Sequence, residues 1–416
     1  FYPPPLSAIF FIFITFACPL TKQFANQPKD MKKTVIKISS LMAALALAGC
    51  SSAPESRKVP VVNIAGNFSK TDFDNLSGSV VVEAVCRPEF TDSTMLDTPD
   101  LLYVANGIAY INEDMWLSRF DFTTGQSIGA FNHTGQGPEE YSSLWQAAYN
   151  PAIDKWGVID SNRIIHSILE YTSEGDFVMR AALDSVGDIA ALSDGGWLAI
   201  NNDASMEGGF HKVKKRKIYR FTPDWKQIST YTLAEERWDV LAQSRLEELL
   251  PINGELYITD GDTICRYDEA TSTLVKSIVL DLGDYSYPWG TIKDLEELRE
   301  VEKNHFNINN PVFNSRYIFA TYYLHDDSEL IRFDVYRLTD GELVYRHTST
   351  YDEHGGFEQF VTGFPVKIEG TDVYGWPMRF VSDDSFYMLI PSDEMCRISD
   401  DEEVNPAIVK CKFKIN

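Results

Sequence analysis

RFDFTTGQSIGAFNHTGQGPEEY, residues Arg119–Tyr141, is the stretch from which the fold is read. Apolar and polar residues alternate up to Phe122, the chain turns at Thr124-Gly125, and alternation resumes through Ile128 and Phe131. Successive strand side chains point to opposite faces, so two period-2 segments joined by a glycine-containing turn predict a β-hairpin. The second half, Gly135-Gln136-Gly137-Pro138-Glu139-Glu140-Tyr141, predicts a rigid exit from that hairpin, with Pro138 fixing φ.

The hairpin recurs. Ile168–Thr172 turns near Glu174-Gly175 into Asp176–Met179, and Ile218–Phe221 turns at Pro223-Asp224 and continues to Tyr231. Ile264–Asp268 turns at Ala270-Thr271, and Arg332–Tyr336 turns at Asp340-Gly341. Most of these turns lie about 50 residues apart, the length of one four-stranded blade. Further strand pairs precede them, turning at Asn106-Gly107, Asp194-Gly195 and Asn253-Gly254. With Val80–Leu102 included, the pattern predicts an all-β, six-bladed β-propeller over residues 59–416. Two stretches read as helical insertions: one opening at Thr291-Ile292-Lys293-Asp294, the other Ala234–Leu250. In the last strand Val409, Cys411, Phe413 and Ile415 alternate with Lys410, Lys412 and Lys414. A ring leaves no open edge if this strand pairs with Val59–Ile64 or Ser79–Val85.

Met31-Lys32-Lys33 begins a basic segment, followed by an apolar run through Leu41 and Leu45 to Leu47-Ala48-Gly49-Cys50. This reads as a secretory signal at 31–49, too short to span a bilayer. Its ending resembles the bacterial lipobox, which implies cleavage before Cys50 and acylation of that cysteine. Residues 50–58 then form a polar tether, and 1–30, which begin with Phe1, read as upstream read-through. The 61 acidic residues outnumber the 37 basic ones, for a net charge of −24. Such a surface repels phosphate backbones and anionic headgroups, excluding nucleic acid and leaving the lipid anchor as the membrane contact. The cysteines after Cys50, at 86, 265, 396 and 411, lack CxxC spacing and give no readable framework.

Gly135–Tyr141, following an FD-x-x-G hairpin, resembles the GxGPGEY motif of six-bladed β-propeller lipoproteins of Bacteroidetes, TolB/NHL-like in architecture. Glu139 stands where that motif has glycine. The segment Asn405–Val409 with its lysine-rich strand and the late helical insertion are similar too. The resemblance covers about residues 60–416. It implies the propeller and an envelope location but no activity. Ser51–Glu55 lacks the acidic run found in surface-exposed lipoproteins of these bacteria, which implies a periplasm-facing anchor at the outer membrane.

The motif residues Gly135, Gln136, Gly137, Pro138, Glu140 and Tyr141 have a structural reading, an inter-blade turn with Tyr141 in a seam, and a phosphate-loop reading. The first is preferred because GxxxxGK[ST] is absent. Trp145, Trp238, Trp289 and Trp376 fall near blade connections, where they would stack on a sugar or peptide or pack between blades. Asp160, Asn201, Asp203, Asp260 and Asp262 sit at strand ends and are weak candidates for an axial metal such as Ca²⁺. The cluster His211–Lys217 (HKVKKRK) reads as an edge strand guarded by lysines, or a dock for an acidic partner. No HExxH, GxSxG or Cys/His pairing occurs. The sequence therefore predicts a binding or scaffolding module without cofactor, for an envelope protein or a small glycan or peptide. Its rival is a metal-dependent hydrolase or lactonase of the same architecture.

Overall fold

The computed structural model describes residues 58–91, 94–97, 99–160, 167–183, 186–207, 210–234, 237–239, 249–252, 255–260, 262–286, 295–323, 330–350, 363–399 and 403–414. Val59–Asn416 forms one compact unit. Its strands make six antiparallel blades around an axis. Blade I comprises Asp100–Ala105, Ile108–Glu113, Trp116–Asp121 and Ser127–Phe131. Blade II comprises Leu144–Asn150, Lys155–Asp160, Ser167–Thr172 and Phe177–Ala182. Blade III comprises Val186–Ala191, Trp197–Glu207, Phe210–Phe221 and Gln227–Ala234. Blade IV comprises Leu249–Ile252, Glu255–Asp260, Thr263–Asp268 and Thr273–Asp281, and blade V Asn307–Phe313, Tyr317–Tyr323, Leu330–Arg337 and Glu342–Thr350. Blade VI takes Thr371–Phe380, Ser385–Ile390 and Ala407–Phe413 from the end of the chain, and Val80–Cys86 from its beginning. Phe364–Ile368 pairs with the first half of Thr371–Phe380.

Burial follows position in the blade. Middle strands face neighbouring blades on both sides, so Lys155–Asp160 and Ser385–Ile390 are buried almost throughout. Outermost strands face solvent on one side, and Ser127–Phe131 and Phe177–Ala182 alternate accordingly. The repeated turn has one solution in five blades: positive φ at Gly125, Gly175, Trp225, Ser272 and Gly341. At Gly125 (φ +75°) a Cβ would also lie 1.8 Å from the Arg87 carbonyl oxygen, so only glycine fits.

Closure is shared between the two ends. In the last strand Val409, Cys411 and Phe413 are buried, as their alternation predicts. Lys410 and Lys412 meet Glu83 of the N-terminal strand at 3.0 and 3.7 Å. The hydrogen bond from Lys410, reinforced by both ammonium charges, holds the Glu83 carboxyl below its ordinary value. Val59–Ile64 goes elsewhere: Val61–Asn63 runs parallel to Val279–Asp281 on the outer edge of blade IV. Phe73–Asp74 then pairs with the outer strand of blade V. The N-terminal segment thus laces blades IV, V and VI before the first full blade begins. It is pinned by a buried cluster in blade V. Arg346 and Asp334, both fully enclosed, pair at 2.6 Å, and Arg346 Nη1 donates to the carbonyls of Asn67 (2.6 Å) and Lys70 (2.9 Å).

Two local readings change. Leu295–Asn304 is helical as expected, and Thr291–Asp294 lie outside the described residues. The Ala234–Leu250 reading is corrected where the stretch is described: Arg237–Asp239 is a strand paired with His211–Val213, and Leu249–Ile252 opens blade IV, while 235–236 and 240–248 lie outside the described residues. The basic run is not an edge either. Phe210–Phe221 pairs with Trp197–Glu207 on one side and, at His211–Val213 and Arg216–Phe221, with two further strands on the other, so the run is not a free outer edge.

Candidate functional site

The innermost strands of all six blades surround an axial cavity of about 1080 Å³. Its wall is mostly apolar, with Leu102, Val104, Ile189, Leu250, Val312 and Phe380 among the lining residues. Charged side chains interrupt that wall: Glu255, Glu269 and Asp383 line it, as do Asp188 and Arg379. On blade III, Asp188 is 7% exposed; it accepts hydrogen bonds from the backbone N–H groups of Leu249 and Ile189, each at 2.7 Å, and from the Gln146 side chain. Burial drives its carboxyl up to about 7, against the pull of those three donors.

Opposite, on blade VI, Arg379 reaches into the cavity. Its Nη1 donates to the Leu102 carbonyl of blade I, and Nε and Nη2 donate to the Pro251 carbonyl of blade IV at 3.3 and 3.2 Å. The guanidinium lies 5.2 Å from the centre of the Tyr103 ring. Ringed by blades, it is pulled down to about 10 by desolvation, still charged at neutral pH. Among the described residues no carboxylate pairs with it. Beside the cavity, between blades I and II, Tyr103, Tyr110, Arg119, Tyr149, Asp154 and Glu174 line a polar recess of about 540 Å³. There Tyr110 stacks on Tyr149 at 3.7 Å, their hydroxyls 3.0 Å apart, and Arg119 pairs with Glu174 at 3.4 Å.

Gly135–Tyr141 is a closed loop away from the cavity wall. Tyr141 is fully buried; its hydroxyl donates to the Met115 carbonyl (2.8 Å) and accepts from the His133 N–H (3.0 Å). The Gly135 N–H donates to the Tyr141 carbonyl (3.0 Å), and the Glu140 carboxylate accepts from the Gly137 N–H (2.7 Å). Tyr171 donates to the Glu139 carbonyl (2.8 Å), tying the loop to blade II. A Cβ at Gly135 would meet the Glu140 carboxylate, so glycine and acid are matched within the loop. The N–H groups that a phosphate would need are spent internally.

The remaining sequence candidates are dispersed. Asp160 is 1% exposed and accepts from the Ser142 N–H (3.0 Å) and hydroxyl (2.8 Å), with Arg180 at 3.4 Å. Asn201 and Asp203 are in register with Lys217 and Lys215. Asp260 pairs with Thr263, and Asp262 accepts from the Ser286 hydroxyl. Among the described residues no group of three or more His, Cys, Asp or Glu side chains could hold a metal ion. Trp376 packs against the core of blades IV–VI. Trp145 and Trp238 lie on strands, with side chains outside the described residues, and Trp289 and Cys50 fall outside them altogether. Burial pushes the Cys86 and Cys411 thiols up to about 12. Among the described residues no helix is long and apolar enough to cross a membrane.

Sequence reasoning missed Asp188 and Arg379. Their signal was a single charge in an innermost strand: VGDIAA for Asp188 and WPMRF for Arg379.

The model of a family described as a domain of unknown function, DUF4934, matches residues 87–416. No curated protein matches the sequence. Among solved structures, a Bacteroides fragilis protein described as exported is 14% identical with a TM-score of 0.55, covering 86% of this chain and 100% of its own. A DUF4221-family member from Bacteroides vulgatus is 11% identical, TM-score 0.45, covering 82% of this chain and 100% of its own. The PQQ-bound aldose sugar dehydrogenase of Streptomyces coelicolor is 13% identical, TM-score 0.38, covering 80% and 98%. At such identities the first likeness concerns the fold alone, and the other two carry no argument.

Proposed function

Since the chain belongs to the DUF4934 family and closes as a six-bladed propeller, we propose that it is a binding or scaffolding module of the bacterial envelope, TolB/NHL-like in architecture, whose ligand occupies the axial cavity. The observation that carries this reading is the cavity itself: roomy, mostly apolar-walled and interrupted by a few charged groups, among them the buried Asp188 and the cationic Arg379. Ligand sites combine apolar walls with a few placed polar groups, whereas a lumen serving only packing excludes enclosed charges, which cost stability. Cys50, at the end of Leu47-Ala48-Gly49-Cys50, would carry the lipid that tethers the propeller at the outer membrane, facing the periplasm. A partner protein, a small glycan or a peptide is the expected ligand class. The motif loop Gly135–Tyr141 serves the blade seam.

The test is thermal unfolding of the full chain with a panel of small apolar, sugar and peptide ligands. At least one should raise the midpoint with increasing concentration, and Val312→Trp, which narrows the cavity, should remove that rise. No rise with any ligand rejects the axial site. The rival metal-dependent hydrolase needs several oxygen ligands converging on the axis, and no observation among the described residues favours it over binding.

A further inference from the structure

We propose that the axial cavity is built for a small carboxylate with an apolar body, its carboxylate gripped by Arg379. This rests on the cavity being the binding site. A guanidinium has five N–H groups, and Arg379 commits one at Nε, one at Nη2 and one at Nη1 to two backbone carbonyls. One N–H remains on each terminal nitrogen, with no acceptor among the described residues.

The charge is as unmatched as the donors. The fully enclosed Arg346, by contrast, has Asp334 beside it. Arg379 has only carbonyl dipoles and the face of Tyr103. The two carbonyls come from blades I and IV, so the guanidinium is held out in the lumen rather than folded back on its own blade. Such an orientation spends backbone acceptors on positioning a charge that has no acidic partner among the described residues. The planar fork of arginine matches a carboxylate, which accepts two N–H bonds at once.

The rest of the ligand follows from the wall. Leu102, Leu250, Val312 and Phe380 offer no hydrogen bonds, so the body that lies against them is hydrocarbon. Asp188 is largely engaged within the protein: its carboxyl accepts from two backbone N–H groups and the Gln146 side chain, leaving about one of its four lone-pair sites. The protein is acidic overall, and its long-range field opposes an anion. At physiological salt that field decays over about 8 Å, so contacts inside the cavity decide binding and added salt favours it.

The experiment is calorimetric titration of the full chain with octanoate, and with octanamide and 1-octanol, which keep the hydrocarbon and lack the charge. Octanoate should bind at least about tenfold tighter than either, with affinity rising between 20 mM and 200 mM salt. Arg379→Gln should remove the advantage of octanoate over octanamide and 1-octanol. Equal affinity for octanoate and the neutral compounds overturns the carboxylate assignment and leaves the axial site standing. No binding of any of the three, in a chain that still unfolds cooperatively, removes the site as well. The comparison of ligands on the native chain decides the matter even if Arg379→Gln fails to fold.

Discussion

Single residues carry more of this fold than their number suggests, because several hold buried polar groups in place. Tyr141 is one. Its hydroxyl satisfies a buried N–H at His133 and a carbonyl at Met115, so Tyr141→Phe should destabilise by about 1–3 kcal/mol in denaturant unfolding. Tyr141→Ala adds a cavity and should reach about 3–5 kcal/mol. Arg346 is another. Removing it leaves Asp334 charged and enclosed, and Arg346→Met should cost about 3–5 kcal/mol, while the double change Asp334→Leu with Arg346→Met should recover much of that loss. Asp188 gives a pH signature. Its folded carboxyl is raised to about 7 against an unfolded value of about 3.9, so the folded state binds the extra proton between those limits. The sign is therefore a loss of stability as pH rises from about 4 to 7, with no contribution below that window. Asp188→Asn should flatten this part of the curve in chemical unfolding measured across that range.

At the level of elements, the propeller is a hairpin repeated under different constraints. In the outer strands of blades I to IV, Ile128, Val178, Ile228 and Val275 occupy equivalent positions, three residues after the positive-φ turn residue, and remain exposed. The outer strands of blades IV, V and VI also pair with strands of the N-terminal segment. Gly125 joins the two arrangements, since the Arg87 carbonyl following that segment crosses directly over it. Gly125→Val should therefore do more than strain one turn. Backbone strain costs about 1–3 kcal/mol, and displacement of Arg87–Glu89 should show as new protease cleavage there. Cleavage kinetics identical to those of the native chain would contradict this account of the turn.

The unit Val59–Asn416 is a ring whose last blade joins the early strand Val80–Cys86 to the late strand Ala407–Phe413, one solution to the problem of open strand edges. The family match begins at Arg87, so Val80–Cys86, the strand that completes blade VI, precedes it. A chain starting at Arg87 should lose cooperative unfolding and aggregate through the uncovered Ala407–Phe413 edge, as read by light scattering during refolding. The same closure makes the axial cavity, because no single blade encloses it. Arg379 is on blade VI, its anchoring carbonyls on blades I and IV, and Asp188 on blade III.

Period-2 alternation and the turn chemistry at Thr124-Gly125 and its repeats were local facts, and they determined strands, hairpins and the propeller. Alternation in Val409–Phe413 likewise determined which face of the last strand is buried, since a one-residue slip would bury its lysines. Adding turn signals did not place Val61–Asn63, because an outer-edge strand leaves no pattern naming its partner. The run His211–Lys217 misled for the same reason: its charges spoke of exposure, while pairing on both sides depended on Trp197–Glu207 and on the chain beyond it. The motif Gly135–Tyr141 was legible as a rigid turn because glycine, proline and a matched acid act within a few residues. The candidate site was not. Arg379 and Asp188 are far apart in sequence, and one charge in an apolar strand acquires meaning only when six inner strands close around it and exclude water. Local propensity decided the pieces, and closure of the ring decided which charges are enclosed.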